Sequence, residues 1–259
     1  MAFLSDRSRD ARLWLGEPDD PEQLRMVDGI TPISRHPPQW SADGRRLLVI
    51  GEVVGTDGVP VPRLYEIDIA SGRATTLAMD ESPYFAQYLP QRRLLLVVDR
   101  GAGRLSVRIV DAAASPLRTL VQLDDVGEAR FDAASGKVHF VRADRAGLWR
   151  TGLDLDAAEQ VDGELPAGFW LRRWAMLDGR PFELRTAAPA CLAEWQWLGA
   201  PTESGLGCLD RERRGVPSLA PVVSQDRKWL YASMVVGLEN SDIGLIEFEP
   251  VSGSAEASR

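Results

Sequence analysis

Three features of the sequence predict an all-β fold built from repeated antiparallel sheets. A turn-and-strand grammar recurs every 43 to 48 residues, the apolar runs have the length of strands, and no stretch carries a sustained helical period. Four short strands in each repeat of roughly 40 to 50 residues is the arrangement of β-propeller blades, in which neighbouring sheets pack face to face around an axis. The predicted fold is an incomplete β-propeller of about five to six blades, each a four-stranded antiparallel sheet.

The clearest unit is "PQWSADGRRLLVIGE", residues 38–52, followed by "RLYEIDIASGRATTL", residues 63–77. In it, residues 41–44 form a tight turn: Asp43 can hydrogen-bond its own backbone and Gly44 can take a positive φ. Leu47 and Val49 then alternate with Leu48 and Ile50 along one strand, and residues 64–69 alternate again after a loop. The same grammar returns in "YLPQRRLLLVVDR", "FDAASGKVHFVRADRAGLWRTGLD", "AMLDGRPFELR" and "VVSQDRKWLYASM". Aligning the turns sets Gly44 against Gln91, Gly136, Gly179 and Arg227, so two repeats lack the turn glycine. The second strand of each pair carries a large aromatic at one place, seen at Trp14, Tyr65, Trp149 and Trp195, which suits a side chain held between sheets.

The first segment, "MAFLSDRSRDARLWLG", reads as a strand, a turn and a returning strand, and Phe3 aligns with Val49. Labelling blade strands a to d outward from the axis, the chain supplies b, c and d of a first blade and a, b and c of a last one. The expectation is the C-terminal portion of a larger propeller. The blades fall at 1–30, 36–78, 82–123, 126–165, 168–210 and 216–250, with 251–259 a disordered tail.

Composition bounds function. The 259 residues are 44% hydrophobic and 26% charged, ordinary values for a globular chain. Apolar runs such as 47–50 and 94–98 fall far short of the roughly 20 residues of a membrane helix. No basic segment followed by an apolar one marks an export signal. A net charge of -8 argues against non-specific binding to nucleic acid, which rests on Lys and Arg replacing counterions. The small basic clusters at Arg92 and Arg93 and at 211–214 read as solvated turns.

The elements "PQWSADGRRLLVIG" and "LYEIDIASGRATTL" resemble the TolB-like, WD40-like propeller repeat of bacterial proteins. "GLWRTGLDLDAAEQVDGELPAGFWLRRWAMLDGRPFEL" and "SQDRKWLYASMVVGLENSDIGLIEF" are similar to the last blades of CadC-type winged-helix regulators. Those join a DNA-binding domain, usually a membrane helix, and a C-terminal propeller. The resemblance implies a propeller at the periplasmic face of the inner membrane if the parent is membrane-anchored. It implies no direct nucleic-acid binding by this chain, since the winged helix is not in it.

No catalytic constellation stands out. The nucleophile elbow G-x-S-x-G does not occur, and neither do a P-loop, a dinucleotide-binding glycine motif or a Cys/His metal cluster. Of the two histidines, His36 precedes a Pro-Pro turn, and His139 sits between Val138 and Phe140 on the opposite face of its strand. Both read as structural. The acidic pairs Asp80 with Glu81 and Asp124 with Asp125 fall in loops and read as solvated. Neither catalytic residues nor a cofactor are assigned.

Cys191 and Cys208 permit a disulfide: a hairpin turning near residues 199–201 would set them opposite one another. A bridge closing about 16 residues stabilises by roughly 3 kcal/mol on the chain-entropy model. Two unpaired thiols are the alternative. Two functional readings result. One is a non-enzymatic sensory or protein-interaction propeller from a transcriptional regulator, presenting loops to a small ligand or protein partner. The other is the substrate-gating propeller of a prolyl-oligopeptidase-type serine peptidase without its catalytic domain.

Overall fold

The computed structural model describes residues 2–5, 12–17, 20–32, 38–99, 104–162, 174–186 and 193–198, together with the strands Gly207–Leu209, Val216–Pro217, Val222–Val223, Trp229–Val236 and Asn240–Glu247. Every regular element among them is a β-strand, and the strands form six antiparallel sheets. His36, Arg227, the basic run 211–214 and the tail 251–259 lie outside the described residues.

The repeat begins at its turn. Gly44 adopts φ 66°, its amide donates to Ser41 O at 2.9 Å, and the Asp43 carboxylate accepts from Ser41 Oγ at 2.6 Å and from the Arg45 amide at 3.1 Å. The Ser41 hydroxyl, followed by the Arg45 amide, holds the Asp43 carboxyl below the usual carboxylate range. The fourth sheet repeats this corner at Gly136, also at φ 66°, with the Asp132 carboxylate accepting from the Ser135 amide at 2.8 Å. In the third sheet the corner is made by Gln91 and Arg92, at φ 60° and 55°. The turn is thus conserved in shape where the glycine is lost, and two L-residues are held in the left-handed region.

The strands that follow are buried on both faces. Arg46–Val54 pairs with Pro60–Asp68 in the second sheet, with Val49 opposite Tyr65. Leu47 and Val49 pack with Leu13 and Leu15 of the first sheet, whereas Leu48 and Ile50 pack with Leu94, Leu96 and Val98 of the third. Leu95 and Val97 of Arg93–Asp99 face the other way, onto Phe131, Val138 and Phe140 of the fourth sheet. Burial on two sides requires a continuous apolar run, and "LLVI" and "LLLVV" are those runs. The outermost strands differ. Arg118–Asp124 is exposed at most positions, while Val126–Asp132, the terminal strand at the other edge of the fourth sheet, is buried at every one.

In two sheets, two short strands pair with the same neighbour. Thr31–Pro32 and Gln39–Trp40 both pair with Arg46–Val54, and Val216–Pro217 and Val222–Val223 both pair with Trp229–Val236. The first sheet has three strands among the described residues, Ala2–Ser5, Arg12–Glu17 and Asp20–Val27. The chain divides into two compact units: the first four sheets to residue 172 with the turn 178–180, and the remaining residues to the end.

The aromatic row of the repeat is realised in register. Trp14 pairs with Phe3, Tyr65 with Val49, Trp149 with Phe140 and Trp195 with Leu184. Tyr65 and Trp195 are buried, and Trp149 packs against the cluster between the third and fourth sheets. In the third sheet the equivalent pair is Leu96 with Arg108.

Left-handed backbone costs an L-residue about 1–2 kcal/mol, while glycine loses about 0.5–1 kcal/mol more backbone entropy on folding. Gln91→Gly should therefore stabilise the protein by about 0.5–1 kcal/mol, read as a raised urea midpoint with unchanged m-value. An unchanged or lowered midpoint contradicts the assignment of strain to this corner.

Candidate functional site

The strand "VGEARFD", Val126–Asp132, carries three charged side chains yet is buried throughout, with Glu128, Arg130 and Asp132 alternating along it. Burial of charge is costly unless the charges are paired and hydrogen-bonded. Here Arg130 Nη2 donates to Glu128 Oε1 and Nη1 to Ala129 O at 2.8 Å, while the guanidinium lies 4.1 Å from the ring centroid of Phe85, in the third sheet. Beside it the Gln87 amide bridges to the same strand in both senses. Its Nε2 donates to Phe131 O at 2.9 Å, and its Oε1 accepts from the Phe131 amide at 2.8 Å. The third and fourth sheets are tied along these strands by one amide and one cation over a ring.

A polar row runs across the fourth sheet. Arg130 stands opposite His139, His139 opposite Arg150, and Arg150 donates to Glu159 Oε1 from the outermost strand. His139 is buried, and its Nδ1 has no hydrogen-bond partner. Burial holds its pKa below the ordinary histidine value; the Asp132 charge pulls it upward and Arg150 downward. The imidazole is therefore neutral at pH 7. On the opposite face Val138 and Phe140 pack into the apolar cluster, as strand alternation requires.

A second network joins the second and third sheets. Glu66 Oε2 accepts from Tyr88 OH at 3.0 Å and from Arg46 Nη1 at 3.3 Å, and the Arg46 guanidinium lies 5.4 Å from the Tyr88 ring centroid. Burial, then the Glu66 charge, push the Tyr88 hydroxyl pKa up. The hydroxyl stays protonated and acts as a donor. Both networks have the character of cross-braces, with the donors of Arg130 and Tyr88 committed to protein acceptors.

The residues singled out in the sequence are scattered. Arg92 forms the exposed left-handed corner, and Arg93 Nη2 donates to Gln91 Oε1 at 3.0 Å. Asp80 is exposed, but Glu81 is ion-paired with Arg108 at 2.6 Å. Asp124 Oδ1 accepts from Gln122 Nε2 at 2.7 Å, and Asp125 takes φ 58° in the link between the third and fourth sheets. Cys208 stands opposite Glu194 in the pairing of Ala193–Trp197 with Gly207–Leu209, and Cys191, the other half of the expected pair, lies outside the described residues. Among the described residues, no group of three His, Cys, Asp or Glu side chains converges to hold a metal ion, and no helix is long and apolar enough to cross a membrane. The roles of Glu128, Arg130 and Arg108 were missed. The available signal was positional: Arg108 occupies the place that four other sheets give to a Trp or Tyr.

No family model and no curated protein matches the chain in sequence. Solved structures do match in shape. The β-propeller domain of the Trilobed protease from Pyrococcus furiosus, which has an open velcro topology, superposes with a TM-score of 0.56 at 9% identity, over 94% of this chain and 95% of that one. An acylaminoacyl peptidase in complex with Z-Gly-Gly-Phe-chloromethyl ketone gives 0.57 at 9% identity, over 94% of this chain and 51% of that one. An oligogalacturonate lyase in complex with manganese gives 0.60 at 13% identity, over 96% and 86%. These likenesses show the fold: the chain is a β-propeller protein. It spans about half of the acylaminoacyl peptidase chain.

The depressed pKa of His139 has a signed consequence. The unfolded chain binds a proton near the ordinary histidine pKa, while the folded chain resists it, so the folded state loses stability as pH falls through that value. His139→Gln should flatten the slope of unfolding free energy between pH 7.5 and pH 5, measured by urea midpoints at roughly half-unit steps. Equal slopes in the two proteins would contradict a buried neutral imidazole.

Proposed function

We propose that this chain is the non-catalytic, substrate-gating propeller of a prolyl-oligopeptidase-type serine peptidase. The observation that carries the reading is the likeness over nearly the whole chain to propellers of peptidases: 95% of an isolated protease propeller domain, but only 51% of an acylaminoacyl peptidase chain. The missing G-x-S-x-G elbow fits a chain that holds the filter and not the nucleophile. Of the two readings drawn from the sequence, the comparisons favour this one over the regulator.

On this proposal the six sheets are blades of the propeller. Rigid blades hold the loops in place, and oligopeptides reach the catalytic domain only through the space the blades enclose. Specificity is then steric: a folded protein is refused, and a short extended peptide passes.

The coding sequence flanking this chain tests the proposal. A contiguous or adjacent α/β-hydrolase segment with a G-x-S-x-G elbow is the expected result. A winged helix followed by an apolar segment, with no hydrolase nearby, would overturn it and return the chain to the regulators.

A further inference from the structure

Four Asp–Gly steps lie wholly among the described residues, at Asp28, Asp43, Asp57 and Asp178. An aspartyl carboxyl that precedes glycine is open to attack by the glycine amide nitrogen, because no side chain shields that nitrogen. Access does not separate the first three steps: a side chain added at Gly29, Gly44 or Gly58 would meet no atom within 4 Å. Hydrogen bonding does.

At Asp43 both reacting groups are engaged. The Gly44 amide donates to Ser41 O at 2.9 Å, and the carboxylate accepts from Ser41 Oγ at 2.6 Å and from the Arg45 amide at 3.1 Å. Asp57 repeats the arrangement: the Gly58 amide donates to Gly55 O at 3.0 Å, and Asp57 Oδ1 accepts from the Val59 amide at 3.1 Å. Asp178 is itself held at φ 52°, in the short link between the strands Trp174–Leu177 and Arg180–Thr186. None of this holds at Asp28. Asp28 and Gly29 are both exposed, and neither the carboxylate nor the amide has a hydrogen-bond partner among the described residues.

We propose that Asp28–Gly29 is a self-modification site, at which the backbone isomerises with water as the only co-reactant. The Gly29 nitrogen loses its proton and bonds to the Asp28 carboxyl carbon, and a carboxyl oxygen leaves as water, closing a five-membered succinimide. Water then opens the ring. Opening at the backbone carbonyl leaves the chain running through the side-chain carboxyl carbon, as an isoaspartyl residue with no net change in atoms. The product adds one carbon to the backbone, about 1.5 Å, in a link that has no slack. Val27 is fixed opposite Leu13 of the first sheet, and Thr31 opposite Glu52 of the second. Val27 and Ile30 are both buried in the cluster these sheets share, and Ile30 Cγ2 would stand 2.7 Å from a Cβ at Gly51. Isomerisation therefore loosens the first sheet from the second. The proposal is independent of the peptidase reading.

Ageing the full chain at mildly alkaline pH, then digesting it with trypsin and separating isoaspartyl from aspartyl peptides by chromatography, tests it. The four steps fall in separate tryptic peptides, 26–35, 36–45, 47–63 and 174–185. In the folded protein, isoaspartate should build up in 26–35 roughly fivefold faster than in 36–45 or 47–63, the factor set by one net hydrogen bond. In concentrated urea the rates should converge. Aged protein should unfold at a lower urea midpoint, and Asp28→Glu, which would have to close a six-membered ring, should age without that loss. Asp28 is exposed, so this variant keeps the fold. Equal rates in the folded protein, faster build-up in 36–45 or 47–63, no isoaspartate in 26–35, an unchanged midpoint after ageing, or the same loss in Asp28→Glu would each overturn the proposal.

Discussion

No single four-stranded sheet can shield either of its faces, and that constraint governs the structure. The second and third sheets are apolar on both sides because each has a neighbour on both sides. Leu48 and Ile50 of the second meet Leu94 and Leu96 of the third, whose Leu95 and Val97 meet Phe131 and Phe140 of the fourth. The hydrophobic gain therefore belongs to pairs of sheets, and no sheet is a stable unit by itself. The same constraint explains the gradient across the fourth sheet, from the wholly buried Val126–Asp132 to the outer strand Glu159–Asp162, exposed at 159–161.

Polar side chains enter these interfaces on restrictive terms. Gln87 is admitted because its amide matches one backbone N–H and C=O of Phe131. Arg130 is admitted because Glu128, Ala129 O and the Phe85 ring together replace water. Paired burial of this kind adds little net stability compared with an apolar pair, but it penalises any slipped register that would leave a charge alone. Arg108 is the exception: its pairing is incomplete and a cavity adjoins it.

Much of the fold was legible because it is local. The Asp43–Gly44 corner, the runs 47–50 and 94–98, and the Trp and Tyr positions each declare themselves within a few residues, and their recurrence gives the architecture. Gln91 was visible as a missing glycine, but its left-handed backbone was not, since an L-residue ordinarily avoids that region. The braces were illegible for a different reason. Gln87 and Phe131 are 44 residues apart, and nothing near either names the other. Function was the least legible, because propellers are reused and the sequence motifs report the blade before they report its use.

Native-state hydrogen exchange on Phe140→Ala is the most direct test of sheet-to-sheet dependence. Phe140 belongs to the fourth sheet, and its side chain is wholly buried against the third. If the faces are held only by one another, the amides of Ser82–Leu89 in the third sheet lose as much protection as those of Lys137–Arg142 in the fourth. Loss confined to the fourth sheet, with Ser82–Leu89 exchanging as before, would contradict the account.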